Sequence, residues 1–188
     1  CDLTTTTLQG NQPLGTSMGE WTFVSGQNTP TIHDSSLYNT AILNLIEGVY
    51  TFVWEVSNGI CASVNDTVLV NVFNSPTSNA GLDEDLCNVY TVSLDGNIPQ
   101  GTSTGKWVVN SSPSNPTIIN DSVYNTVVNN LTEGTYSLSW VVTNGTCDTA
   151  IDTVLINVYD QPTSDASIDQ DLCSVYTTTL AGNTPPGT

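Results

Sequence analysis

Alternation of apolar and polar residues is the main pattern in this chain, and it is clearest within residues 131–147. Large apolar side chains occupy every second position of that segment, and mostly small or polar ones lie between them: Tyr136, Leu138, Trp140 and Val142 alternate with Ser137, Ser139, Val141 and Thr143. A period of two over this length predicts a half-buried antiparallel strand. A Glu-Gly turn precedes the strand, and an Asn-Gly turn follows it.

The same pattern occurs at residues 45–61, because the chain repeats at an interval of 86 residues. Residues in register include Trp21 with Trp107, Trp54 with Trp140, Pro76 with Pro162, Cys61 with Cys147, and the series Cys1, Cys87 and Cys173. No insertion or deletion is needed to align the copies. We therefore predict a first repeat at 1–75 that lacks its start, a complete repeat at 76–161 and the start of a third at 162–188. We expect the chain to be a segment of a longer array.

The complete repeat contains enough alternating segments for a two-layered sandwich. Strands are predicted at 77–86, 90–94, around Trp107 and Val109, at 116–119, at 126–131, within 131–147 and at 153–158, with a bulge or change of sheet at Ala80-Gly81. A seven-stranded sandwich of about 100 residues fits this unit, whereas solenoid repeats of roughly 20–45 residues are too short. No segment has helical periodicity. The predicted fold is all-β, with tandem immunoglobulin-like or PKD-like β-sandwich domains.

Charge excludes several classes of partner. The chain has one Lys, no Arg and eighteen acidic residues, for a net charge of −17. Nucleic-acid binding needs clustered Lys and Arg, so we expect no nucleic-acid partner. We also expect no membrane insertion in this segment, because no apolar run is long enough to span a bilayer.

The cysteines recur at fixed positions in a strand-rich chain, which favours disulfides over metal binding. We expect the pairs Cys1–Cys61 and Cys87–Cys147, each within one repeat. A second arrangement joins neighbouring repeats through Cys61–Cys87 and Cys147–Cys173. A third joins Cys1 to Cys147 across the junction between repeats. The sequence alone leaves these alternatives open.

The order of motifs resembles a known group of proteins. These motifs are Cys87, the Gly-Asn-x-Pro loop, the Gly-x-Trp strand, the Gly-x-Tyr-x-x-x-Trp strand, Asn-Gly-x-Cys and Asp-Thr-Val. The chain is similar over its whole length to the PKD-like or immunoglobulin-like repeats of giant Bacteroidetes cell-surface proteins, which include gliding-motility adhesins exported by type IX secretion. The resemblance implies an extracellular location at the bacterial surface. It supplies no catalytic residues. The tyrosine two residues after each Glu-Gly also resembles the tyrosine corner of immunoglobulin-like sandwiches.

Four sites match the Asp-Ser/Thr-apolar pattern that resembles the O-glycosylation acceptor of Bacteroidetes. The acceptors would be Thr67, Ser122, Thr149 and Thr153. Such sites would make the chain a glycoprotein.

Other candidate chemistry is weak. We expect no enzyme, because the one histidine, His33, is replaced by Ile119 in the next repeat, and Lys106 aligns with Glu20. No metal site is predicted, although calcium at the domain junctions is a minor candidate, since calcium prefers several oxygen ligands. Its ligands would come from Asp83, Asp85, Asp169 and Asp171. No other cofactor is expected.

Two functions follow from these patterns. The first is a structural segment of an extracellular surface filament or adhesin, a stalk or fibre for attachment or gliding, whose partners are neighbouring repeats and other copies in a filament. Exposed Val141 and Leu155 would be candidates for side-by-side packing. The alternative is a module that binds an unknown carbohydrate or protein ligand through the loops between strands.

Overall fold

The computed structural model describes residues 1–184, and all regular structure in that range is β-strand. The first domain contains six strands: β1 (Thr6–Thr7), β2 (Met18–Ser25), β3 (Thr31–Ile32), β4 (Ala41–Leu43), β5 (Gly48–Ser57) and β6 (Val64–Val72). The second contains seven: β7 (Glu84–Cys87), β8 (Val92–Asp95), β9 (Thr104–Ser111), β10 (Thr117–Ile118), β11 (Asn125–Asn129), β12 (Gly134–Thr143) and β13 (Ala150–Tyr159). No strand is assigned between residues 160 and 184.

Each domain is a sandwich of two sheets. In the first domain the strand orders are β1-β4-β3 and β2-β5-β6, and in the second they are β10-β11-β8 and β7-β13-β12-β9. Neighbouring strands are antiparallel except β7, which runs parallel to β13. The prediction of an all-β chain with tandem immunoglobulin-like or PKD-like sandwiches is confirmed.

Two separate cores form, one in each domain, and both follow the alternation seen in the sequence. Tyr136, Leu138, Trp140 and Val142 are all fully buried. The first core contains Trp21 and Trp54, whose ring centroids lie 5.0 Å apart, and the second contains Trp107 and Trp140, at 5.1 Å. A Cβ placed at Gly105 would lie 2.2 Å from the Trp140 ring, so this glycine lets the indole lie flat across β9.

Both predicted tyrosine corners are present. The Tyr136 hydroxyl accepts a hydrogen bond from the Thr132 backbone N–H at 2.7 Å, and the Tyr50 hydroxyl accepts one from the Ile46 N–H at 2.9 Å. Each bond ties the start of the central strand to the turn before it, which sets where the strand enters the sandwich.

Two details differ from the prediction. The strand expected at 77–86 is reduced to β7, because Gly81 has a φ of +88° and interrupts extended pairing. Ser139, expected on the outer face, is buried, since β12 is a central strand. Its hydroxyl is hydrogen-bonded to Asn110 and Thr153, so the polar group is satisfied.

Candidate functional site at the junction of the two domains

A disulfide crosses from the first domain to the second. Cys1 is bonded to Cys147, with the two Cα atoms 5.7 Å apart. Cys1 lies where the chain passes the end of β6, because the Asp2 N–H donates to the Phe73 carbonyl at 2.9 Å. Cys147 lies in the turn between β12 and β13. The bridge therefore joins the outgoing end of one sandwich to the incoming end of the next.

The within-repeat pairs Cys1–Cys61 and Cys87–Cys147 do not form, and strand geometry explains why. Cys61 lies in the turn that precedes β6, whereas Cys1 lies beside its last residues. Nine residues of strand separate those ends. At about 3.3 Å per residue this is roughly 30 Å, far beyond the ~7 Å limit for bridged Cα atoms.

The same argument applies in the second domain. Cys87 pairs in register with Tyr159 at the end of β13, and Cys147 precedes the beginning of that strand. Cys61, Cys87 and Cys173 are free and exposed, so the second arrangement, Cys61–Cys87 with Cys147–Cys173, does not form either. The structure contains the third arrangement.

A hydrogen-bond network centred on Glu47 lies at the same junction. The Asn144 amide donates to Glu47 Oε1 at 2.7 Å and to the Asn74 carbonyl at 2.8 Å, so both of its N–H protons are used. The Thr102 hydroxyl lies 2.8 Å from Glu47 Oε1 and 2.7 Å from Asn144 Oδ1. Asn144 is only 2% exposed, whereas Glu47 is partly exposed and Thr102 is exposed.

The network favours the ionised form of Glu47. Hydrogen bonds from Asn144 and then Thr102 lower the pKa of this carboxyl below its ordinary value, against the opposing effect of burial. A carboxylate that accepts several hydrogen bonds loses them on protonation. The hydrogen bonds at the junction therefore stabilise the ionised form of Glu47.

Two glycines let the domains approach this closely. A Cβ on Gly101 would lie 1.9 Å from Glu47 Oε2, and one on Gly145 would lie 2.5 Å from the Phe73 ring. Both glycines also have positive φ, near +59° and +53°. Any other residue at either position would combine a clash with backbone strain.

Sequence reasoning did not identify Glu47, Thr102 or Asn144 as site residues. A signal was present, because all three recur at the repeat interval, as Glu133, Thr16 and Asn58. The repeat was interpreted as evidence for turns, and the pattern does not say that two such turns meet across a junction.

The predicted glycosylation acceptors all lie at exposed positions. Thr67, Ser122 and Thr149 are exposed, and Ser122 is hydrogen-bonded to Asp121 at 3.1 Å. Thr153 is exposed as a residue, but its hydroxyl lies 2.7 Å from that of Ser139. Glycosylation stays a prediction.

The calcium candidates lie away from the junction. Asp83 accepts a hydrogen bond from the Leu155 N–H at 2.8 Å, and Asp85 accepts one from the Asn157 side chain at 2.9 Å. Both carboxylates hold the segment before β8 against β13. Within residues 1–184 no group of three or more His, Cys, Asp or Glu side chains is arranged to bind a metal. Asp169 and Asp171 are exposed, and calcium binding stays a prediction.

The remaining candidates are surface groups. His33 is exposed just after β3, and Lys106 forms an ion pair with Asp121 at 3.2 Å in which both side chains are largely solvated. Such a pair contributes about 0–1 kcal/mol to stability.

The two apolar candidates for side-by-side packing are partly accessible: Leu155 is 39% exposed and Val141 is half-buried. No long apolar helix that could cross a bilayer occurs in residues 1–184.

An open groove occurs at the same place in both domains, but its chemistry differs. In the first domain Glu20, Glu55 and Tyr38 line it, and in the second Lys106 and Val141 do so. A groove whose charge changes between copies does not define one shared ligand.

No protein-family model and no curated protein sequence matches the chain. Solved structures with similar folds include murine CEACAM1b, at 13% identity and a TM-score of 0.49 over 81% of this chain and 89% of that one. A PKD domain from the KIAA 1837 protein aligns at 23% identity and a TM-score of 0.41, over 47% of this chain and 90% of that one. Fibronectin(III)-like modules of Clostridium thermocellum CbhA align at 15% identity and a TM-score of 0.35, over 83% and 94%.

The strand order and the bridged junction define the class of this protein. It is a tandem β-sandwich of immunoglobulin-like or PKD-like domains. The described site joins two domains and holds them in a set arrangement.

Proposed function

We propose that this chain is a structural segment of an extracellular surface filament or adhesin, in which each sandwich extends the reach of a stalk or fibre. The observation that carries the proposal is the Cys1–Cys147 bridge across the domain junction. A ligand-binding module does not need a covalent tie between the ends of successive domains. In a spacer under tension, such a tie carries force past the folded domains.

The bridge sets the path that a pulling force takes. Tension that enters at Cys1 passes through the two sulfur atoms to Cys147 and then along β13. Residues 2–146, which include most of both cores, lie outside that path. An extended chain spans at most about 3.6 Å per residue, so the loop of 146 residues withholds roughly 500 Å of extension.

Compartment and charge support the same role. Structural disulfides persist in oxidising surroundings outside the cytosol. The net charge of −17 makes neighbouring filaments repel one another. A bacterial surface, type IX secretion and a role in gliding rest on the resemblance of the motifs to Bacteroidetes adhesin repeats.

Single-molecule force spectroscopy tests the proposal. The chain is tethered through end tags that do not use cysteine and is pulled with the bridge closed. We expect only the residues outside the loop to extend. In Cys147→Ser we expect roughly 500 Å of additional contour length, released as the two domains unfold.

The matched control is Cys173→Ser, which removes a free, exposed cysteine and leaves the bridge intact. Its extension should equal that of the oxidised parent. If the oxidised parent extends as far as Cys147→Ser, the bridge does not protect the cores and the proposed load-bearing role fails.

A further inference from the structure

The turn after each central strand contains an Asn-Gly pair. Asn144-Gly145 follows β12, and Asn58-Gly59 follows β5 at the same position of the repeat. The two glycines have similar positive φ angles, +53° and +58°. In each turn the N–H of the residue three positions after the asparagine donates to the asparagine carbonyl, at 3.0 Å in the second domain and 3.1 Å in the first. The two turns therefore share their backbone geometry and differ in their surroundings.

An asparagine that precedes a glycine can react with its own backbone. The glycine nitrogen, once deprotonated, attacks Cγ of the asparagine side chain, and no Cβ on the glycine hinders the approach. The bond between Cγ and the amide nitrogen breaks, and that nitrogen leaves as ammonia. Water then opens the resulting five-membered imide at either carbonyl, which gives aspartate or isoaspartate. The net reaction consumes one water, releases one ammonia and replaces a neutral amide by a carboxylate.

The nitrogen that would leave Asn144 is held by the first domain. Nδ2 donates to Glu47 Oε1 at 2.7 Å and to the Asn74 carbonyl at 2.8 Å, and the side chain is 2% exposed. Oδ1 lies 2.7 Å from the Thr102 hydroxyl. Loss of ammonia requires Nδ2 to leave both acceptors, so the junction has to open first. A reaction that proceeds only from an open state is slowed in proportion to how rarely that state is populated.

Asn58 supplies an internal reference for the turn without these contacts. Its side chain is exposed, and its Oδ1 accepts a hydrogen bond from the Thr16 hydroxyl at 3.0 Å. Within residues 1–184 its Nδ2 donates no hydrogen bond to another residue. A difference in reactivity between the two Asn-Gly pairs therefore reports the effect of the junction, because the turns themselves are alike.

Deamidation of Asn144 would remove the contact that closes the junction. An aspartate has no N–H to donate, so the Asn74 carbonyl would lose its donor and a second carboxylate would lie beside Glu47. Both carboxyl groups are ionised at neutral pH, since their ordinary pKa values are about 4, and like charges at this distance repel. Isoaspartate also lengthens the backbone by one methylene at the turn, where Gly145 packs closely against the Phe73 ring.

We propose that Asn144-Gly145 is a modification site whose deamidation is controlled by the domain junction, and that the modification makes an opening of the junction permanent. While the domains are in contact, the amide is protected. An opening exposes the pair, and the carboxylate formed then repels Glu47 when the domains meet again. The Cys1–Cys147 bridge keeps the domains connected in both states. The site depends on the contacts of the junction and not on the proposed filament role.

The first experiment measures deamidation of both pairs in one sample. The oxidised chain is incubated in mildly alkaline buffer, and peptide mass spectrometry follows the conversion of each asparagine. The same chain unfolded in urea gives the intrinsic rate of each pair. We expect folding to slow the reaction at Asn144 at least about tenfold more than it slows the reaction at Asn58. Equal slowing at the two pairs would overturn the proposal.

A substitution in the first domain tests the source of the protection. Glu47→Ala removes one acceptor of the Asn144 amide and leaves both Asn-Gly pairs and the bridge in place. Deamidation at Asn144 should become at least about threefold faster, with Asn58 unchanged. Glu133→Ala, at the same repeat position in the second domain, is the matched control and should leave both rates as in the parent. Tryptophan fluorescence checks that both variants are folded. An unchanged rate at Asn144 in Glu47→Ala would contradict the proposed protection.

The second experiment tests the consequence of the modification. Asn144→Asp reproduces one product directly, and Asn58→Asp adds the same charge to the reference turn. X-ray scattering from dilute, oxidised samples at neutral pH should show one narrow interdomain arrangement for the parent and for Asn58→Asp. We expect Asn144→Asp to lose that arrangement and to show a broad range of interdomain distances.

If Asn144→Asp keeps the narrow arrangement of the parent, deamidation does not hold the junction open and the proposal fails. The extension of a bridged chain under force is independent of these measurements, because the bridge is intact in every variant. The proposed load-bearing role is therefore tested separately.

Discussion

The edges of β6 and β13 show how much of a repeat's structure depends on its neighbour. The two strands have similar lengths and the same alternation of apolar and polar residues. Each forms a hairpin with the central strand of its sheet. Ile156 is 1% exposed and Val154 2%, whereas Val68 is 36% exposed. The difference arises because β7 and the residues before it lie over β13. Burial of the last strand is therefore a property of two adjoining segments.

The incoming ends of the two domains give a second comparison. Asn144 and Asn58 occupy the same position of the repeat, and each is hydrogen-bonded to a threonine. Asn144 is buried because Glu47 and Asn74 of the preceding domain lie against it, whereas Asn58 is exposed. The turn with its threonine hydrogen bond therefore forms within each domain by itself. Contact with the preceding domain is what buries the asparagine.

The largest expected effect on stability distinguishes the bridged cysteine, Cys147, from the free cysteine at the matching position, Cys61. Cys147→Ser opens a loop of 146 residues and should lower stability by as much as about 5 kcal/mol in the chain-entropy model. Cys61→Ser at the matching free position should change it by less than about 0.5 kcal/mol. Urea unfolding followed by tryptophan fluorescence measures both. Equal midpoints for the two variants would contradict the structural role of the bridge.

A smaller effect separates the covered strand edge from the open one. Val154→Ala removes two buried methyl groups and should cost about 2–3 kcal/mol, whereas Val68→Ala should cost less than about 1 kcal/mol. Hydrogen exchange with mass spectrometry, in dilute solution, assigns each change to its own domain. A similar loss at both sites would mean that β6 is covered in solution.

The aspartates that precede those valines sharpen the comparison. Asp152→Ala leaves the N–H of buried Ala80 without its acceptor and should cost roughly 1–2 kcal/mol. Asp66→Ala at the open edge should stay within about 0.5 kcal/mol. Calorimetric unfolding of the two variants gives the difference. An equal cost would show that Asp66 has a partner of its own.

The smallest effect depends on pH. Because hydrogen bonds lower the pKa of Glu47, its contribution to the junction is complete above the ordinary pKa of a glutamic acid. It is lost as the pH falls through the lowered value. Interdomain order, measured by X-ray scattering from about pH 7 to about pH 3, should differ between parent and Glu47→Gln only at the upper end. Glu133→Gln in a dilute, monomeric sample should match the parent throughout.

Residue patterns in the sequence were sufficient to predict most strands and the residues of the core. Alternation within 131–147 predicted β12 and its four buried apolar side chains, and the spacing of Gly134 and Tyr136 predicted the tyrosine corner. These features depend on neighbours within a few residues, where the period of a strand decides which side chain is buried. The predicted strand at 77–86 failed because the backbone at Gly81 departs from an extended conformation there.

The pairing of cysteines was outside the reach of such patterns. Loop length makes Cys87–Cys147 as reasonable as Cys1–Cys147. Only the antiparallel direction of β12 and β13, and the parallel direction of β7, place Cys87 and Cys147 at opposite ends of a domain. The spacing of the cysteines in the sequence does not show in which direction these strands run.

The chain's sequence by itself determined an all-β, periodic protein with an apolar core in each domain, because alternation and turn residues act over short distances. The tertiary structure decided which ends meet, which cysteines bond and which segment covers the last strand of the second domain. Those outcomes depend on the directions of strands and on the contact of one domain with the next, and such contacts join residues as far apart as Glu47 and Asn144.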